Sequence, residues 1–122
     1  MRYVERAARK LARSTFYAMG RYQAKLEQRQ TLLGRIVDIG AELFAISAAV
    51  VYANTVAAEQ PARADSAREL ADLFCRQARR RADRLFHELW ANDDSEGYAA
   101  ALAVLDGRHE WIEEGVPDPS EA

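Results

Sequence analysis

Three prolines, six glycines and a single cysteine are all that the 122 residues hold of the types that break helices or cross-link chains. So little proline and glycine excludes a loop-rich chain and removes the turn signals of an all-β protein. β-branched residues are also few, whereas alanine, arginine, leucine and glutamate, all strong helix formers, abound. The lone thiol, Cys75, has no partner for a disulfide within the chain, which fits a reducing, cytoplasmic compartment. An excess of one charge is missing as well. Seventeen basic and 19 acidic side chains leave a net −2, so no overall positive field is available and nucleic acid is not an expected partner. A long hydrophobic run is likewise absent. The best, LFAISAAVVYANTVAA at residues 43–58, is interrupted by Ser47, Asn54 and Thr55 and falls short of the roughly 20 residues a membrane span needs. It reads as a core helix, with contact to a membrane surface as the alternative. No secretory signal opens the chain. MRYVERAARKLARST is arginine-rich and amphipathic like a mitochondrial presequence, but it contains Glu5 and its periodicity continues into the next segment.

What is present is helical periodicity. The length suits one domain or part of one, and at 49% hydrophobic and 30% charged the composition supports one ordinary core. Val4, Ala8, Leu11, Thr15, Met19, Tyr22 and Leu26 recur in steps of three and four and draw a stripe along a first helix. Gly20 either ends or weakens it. A second helix runs from residue 23 to about residue 58, with Leu33, Ile36, Val37, Gly40, Leu43, Phe44, Ser47, Val50, Val51 and Asn54 at near-heptad spacing. Its opposite face changes from Arg35, Asp38 and Glu42 to small apolar residues, so more than one side of it expects a neighbour. Pro61 marks a turn before a third helix at about residues 64–91, striped by Leu70, Phe74, Ala78, Ala82, Leu85 and Leu89 and flanked by Leu73, Phe86 and Trp90. Arg81 falls in that stripe and expects a carboxylate from another helix. Asp94 or Ser95 caps a fourth helix, with Tyr98, Leu102 and Leu105 on one side and Gly107 as its stop. A short turn then docks Trp111 and Ile112, and the tail VPDPSEA is loose. The fold class is all-α, an antiparallel bundle of about four helices.

Candidate chemistry fails each time it is sought. Asp38 and Glu42 share a helix face, but Arg35 shares it too and the pair reads as ionic. A di-metal bundle wants Glu-x-x-His motifs, and neither His87 nor His109 has a glutamate three residues earlier. Cys75 has no base within reach and reads as an inert, buried thiol. Arg79, Arg80 and Arg81 point three ways around a helix and make no single phosphate patch. No glycine-rich phosphate loop occurs. No catalytic, cofactor-binding or metal-ligating residue is therefore assigned. The residues expected to pack or to form an interface are Leu33, Ile36, Leu43, Phe44, Phe74 and Trp90.

Three stretches carry a family resemblance: EQRQTLLGRIVDIGAELFAISAAVV (27–51), LADLFCRQARRRADRLFHELW (70–90) and YAAALAVLDGRHEWIEEGVPDP (98–119). Together with LARSTFYAMGRYQAKLEQRQ (11–30), they resemble, in collinear order, the C-terminal extension of large acyl-CoA dehydrogenases of the bacterial and very-long-chain types. The resemblance implies a parent enzyme that oxidises an acyl-CoA, a glutamate taking the α proton and FAD the β hydride. It further implies a homodimeric parent, with this domain packed over a catalytic body made of helical and β-barrel parts. In the mitochondrial member the region also contributes to membrane association. On this reading residues 1–20 lead in from the body, residues 21–115 form the domain and residues 116–122 are a tail. A chain starting at Met1 is then a detached piece. It holds neither the flavin barrel nor the catalytic glutamate, so no site residue carries over, and FAD belongs to the parent alone. The alternative is a free-standing helical module for protein–protein interaction.

Overall fold

The computed structural model describes residues 1–22, 25 and 29–121. Among the described residues there are four α-helices and no strand: α1 (Arg2–Tyr22), α2 (Gln30–Glu59), α3 (Ala64–Glu88) and α4 (Asp94–Leu105), with 3₁₀ turns at Pro61–Arg63, Glu110–Glu113 and Pro119–Glu121. The all-α class expected from composition is the class adopted. Two compact units divide the chain, Met1–Ala91 and Asn92–Ala122. The expected beginning of the second helix at Gln23, and Leu26 at the end of the first stripe, lie outside the described residues.

In the first unit α2 is the spine. Its 30 residues span roughly 45 Å at 1.5 Å per residue. A chain stop at Gln60 and the 3₁₀ turn begun by Pro61 reverse the direction, and α3 returns antiparallel along α2. Contact is made by two matched heptad rows. Leu32, Ile39, Ile46 and Ala53 of α2 are buried, with Ile36, Val50 and Ala57 half-buried and Leu43 buried beside them. From α3 come Ala78, Ala82 and Leu89, buried, and Ala71, Cys75 and Leu85, half-buried. Large residues on one helix facing alanines on the other let the side chains interdigitate.

The sequence stripe of α2 was expected through Val37, Gly40, Phe44, Ser47, Val51 and Asn54 as well as Ile36, Leu43 and Val50. Ile36, Leu43 and Val50 belong to the seam, and Gly40 and Ser47 are half-buried beside it. Val37, Phe44 and Val51 are exposed, and Leu32, Ile39, Ile46 and Ala53 take their place inside. The reason is that α2 is apolar on two sides, so a stripe drawn from hydrophobicity alone falls between them.

The first helix lies along the other end of this hairpin, parallel to α3. It seals Leu32, Ile39, Leu43, Phe86 and Leu89 with its own buried Ala7 and Ala18, and Tyr3, Val4, Leu11 and Tyr22 pack around them. Its buried row passes through Ala7 and Ala18 rather than Ala8 and Met19, which are exposed. Alanine at those points lets the helix backbone approach, and a stripe that favours the larger side chain selects Met19 wrongly. Gly20 does not end the helix, which continues to Tyr22. On α3, Leu70 and Leu73 are exposed and Phe86 is buried, and Trp90 just past its end is exposed, so the row is turned slightly from the expected one.

The second unit is built locally. Gly107 at φ 81° ends α4: its N–H donates to the Val104 carbonyl at 3.1 Å, and the Arg108 N–H to that of Ala103 at 3.0 Å. That pairing is a Schellman stop, and it needs the left-handed backbone glycine supplies. At the other end the N-cap is Asp93, one residue before the expected Asp94 and without a side-chain cap hydrogen bond, while the Asp94 N–H donates to the Asn92 side-chain oxygen at 3.1 Å. Within this unit α4 buries none of its residues, and Trp111 and Ile112 are exposed. A segment of this size has too little mass of its own to cover them.

Candidate functional site

The carboxylates singled out in the sequence, Asp38 and Glu42, line a surface cleft of about 360 Å³ with Ala41, Arg81, Arg84, Leu85 and Glu88. Helical phase puts Asp38 and Glu42 on one flank of α2, and the antiparallel return of α3 carries Arg81 opposite Glu42. Arg81 Nε donates to Glu42 Oε1 at 2.7 Å, and its Nη2 to Oε2 at 3.1 Å. This two-pronged geometry suits a guanidinium and a carboxylate, and the hydrogen bonds from Arg81 to Glu42 hold its protonated form still more firmly. The same guanidinium lies 5.7 Å from the Phe74 ring centroid. Glu42 thus joins α2 to α3 through Arg81.

Across the opposite flank is a cluster that the sequence did not reveal. The Tyr3 hydroxyl donates to Asp83 Oδ1 at 2.7 Å and approaches the Arg79 carbonyl oxygen at 3.4 Å. The Arg79 guanidinium lies 4.5 Å from the Tyr3 ring centroid, and Lys10 Nζ lies 4.5 Å from that of Phe86. Burial first, then the hydrogen bond to Asp83, push the Tyr3 phenol well above its ordinary value. These contacts join α1 to α3. No periodicity rule could pair residues so far apart in the chain.

The three consecutive arginines separate as helical phase demands: Arg79 stacks on Tyr3, Arg81 pairs with Glu42, and Arg80 is exposed. Cys75 sits half-buried on the α3 seam. Burial, and then the nearby Asp72 carboxylate, raise its thiol pKa, so the unreactive protonated form is favoured. Among the described residues no group of three or more His, Cys, Asp or Glu is placed to hold a metal ion.

The six packing residues divide. Ile36 and Leu43 pack into the core, and Phe74 is half-buried under Arg81. Leu33 is half-buried at the border of the seam. Phe44 points outward at 76% exposure. Trp90 is also exposed, meeting Tyr17 edge-on with ring centroids 5.3 Å apart.

A flavin requires an enclosed slot for its ring and clustered backbone N–H groups for its diphosphate. One cleft, of about 660 Å³, is lined by Arg6, Arg9, Lys10, Ala12 and Arg13 of α1 alone. Long cationic side chains along one helix do not make such a slot, and no flavin step can be built from them.

Comparison with known proteins points the same way as the helices. The model of the ACAD9/ACADV C-terminal domain matches residues 2–106. Probable acyl-CoA dehydrogenase FadE10 of Mycobacterium bovis and that of Mycobacterium tuberculosis are each 54% identical over 121 residues. The match takes in 99% of this chain and 19% of each relative, so the chain spans about a fifth of their length. No solved structure matches it. The chain, a helical hairpin clamped by a third helix in its first unit, is therefore a member of the acyl-CoA dehydrogenase C-terminal domain family, ACAD9/ACADV type.

Proposed function

We propose that this chain is the assembly domain of an FAD-dependent acyl-CoA dehydrogenase of fatty-acid β-oxidation, and that it stabilises the enzyme without taking part in its chemistry. The observation that carries the reading is the match itself: nearly the whole chain aligns, and it aligns with only 19% of a probable acyl-CoA dehydrogenase. Proton abstraction by a glutamate and hydride transfer to FAD belong, on this view, to the body that makes up the remaining four fifths. Here α1 is the lead-in from that body, the parent is a homodimer, and the compartment is the cytoplasm.

The test grafts this chain onto the FadE10 protein of Mycobacterium tuberculosis in place of the matching fifth. The graft is expected to yield a flavin-loaded protein that reduces an electron acceptor with acyl-CoA, whereas the 122-residue chain alone binds no FAD. A graft that stays insoluble or flavin-free would overturn the proposal. A melting temperature that rises with the concentration of the isolated chain would favour the free-standing interaction module instead.

A further inference from the structure

The outer side of α2 repeats the spacing of its inner side. Val37, Phe44, Val51 and Ala58 form one row of seven-residue steps, and Gly34, Ala41, Ala48 and Thr55 form the row beside it. All eight are exposed, Val37 at 68%, Phe44 at 76% and Val51 at 60%. The inner rows, with the same alternation of three and four, receive α3. A second pair of rows of this kind, one large and one small, presents the ridge and groove that accept another helix at close approach. Only 22% of the most apolar 18-residue window of α2 is buried, so much of its apolar surface stays open within the chain.

We infer that this open seam, residues 34–58, is where one apolar helix of the dehydrogenase body lies against the domain. The inference rests on the assembly-domain reading above. Size selects the occupant. A strip of 24 steps at 1.5 Å, one helix wide, is roughly 36 by 10 Å, or about 360 Å² on each side. Twice that falls within the roughly 600–1,500 Å² of interfaces between domains of one chain. It falls below the roughly 1,200 Å² of a stable interface between separate molecules. A second copy of this chain is therefore too weakly held, while a body tethered in the same polypeptide needs no more area, because tethering raises its effective concentration. The relatives are about five times as long as the matched region, which supplies such a body. Charge argues against a lipid surface: no lysine or arginine occurs between Ile36 and Gln60, whereas Asp38, Glu42 and Glu59 do, and anionic headgroups require the reverse.

The experiment uses the FadE10 graft and the isolated chain side by side. Phe44→Asp and Ala48→Arg, being at exposed positions, are expected to leave the helicity and melting of the isolated chain unchanged. In the graft they should speed proteolysis within α2 and α3 roughly tenfold, because the docked state no longer protects them. Ala48→Cys on a Cys75→Ser background gives a second reading that does not depend on disruption: alkylation at position 48 should be fast in the isolated chain and at least about tenfold slower in the graft. A flavin-loaded graft in which position 48 stays as reactive as in the isolated chain, or in which both charged variants remain protected, overturns the seam and leaves the domain reading standing. A graft that takes up no flavin overturns both. An isolated chain that dimerises, and is made monomeric by Phe44→Asp, assigns the seam to a second copy and overturns the inference.

Discussion

The two sides of α2 use nearly the same residues to opposite effect. On one side Ile39 is 0% exposed, enclosed by α1 and α3; on the other Phe44, little more than one turn away, is 76% exposed. Both are large and apolar, and both lie on seven-residue rows. The difference teaches that hydrophobic spacing marks where a helix can be covered, while only the neighbours present decide which side is covered within the chain.

Ile39→Ala tests the inner side most directly. Cavity formation in the core should cost about 2–5 kcal/mol in urea unfolding. The comparison breaks if Phe44→Ala costs as much, since that would mean the outer side is also packed in the isolated chain. Next in size is overpacking. Ala78 is 0% exposed between α2 and α3, so Ala78→Leu should lose about 1–3 kcal/mol, while Ala48→Leu on the outer row should be tolerated.

The α1 clamp gives a smaller effect, and one that depends on pH. Tyr3→Phe should cost about 1 kcal/mol at neutral pH through the hydrogen bond to Asp83. Because folding raises the Tyr3 pKa above its ordinary 10.0, the contribution is complete below pH 10 and is lost as pH rises beyond it. The gap between the two proteins in thermal melts should therefore narrow above pH 10 and stay constant below.

Across the hairpin, a double-mutant cycle with Glu42→Gln and Arg81→Met should return about 1 kcal/mol or less, since solvent reaches both side chains. Phe44→Ala is expected at the foot of the scale, within about 0.5 kcal/mol. If the order of Ile39 and Phe44 reverses, the inner and outer assignments of the two seams exchange.

Much of this was legible in advance. Alanine-, arginine- and leucine-rich segments with few prolines and glycines identify the helices, and Pro61 and Gly107 locate two of the stops, because those features act within a turn or two of chain. Arg81 was expected to need a carboxylate since a cation in an apolar stripe has few other solutions. Glu42 of α2 supplies it, as that expectation required. Ala7, Ala18 and Ile39 were missed for a common reason: small residues score weakly in a stripe, and a helix apolar on two sides has no single preferred direction. Tyr3, Asp83 and Arg79 gave no signal, being joined only once α1 lies along α3.

The sequence by itself determined the helices, their stops and the doubled heptad pattern of α2, because helix propensity and capping are settled by residues within a few positions of one another. The tertiary structure alone decided which pattern is enclosed, which carboxylate Arg81 meets and that α1 clamps one end of the hairpin. Those outcomes depend on which surfaces are brought into contact, and burial is a property of the pair of surfaces rather than of either one.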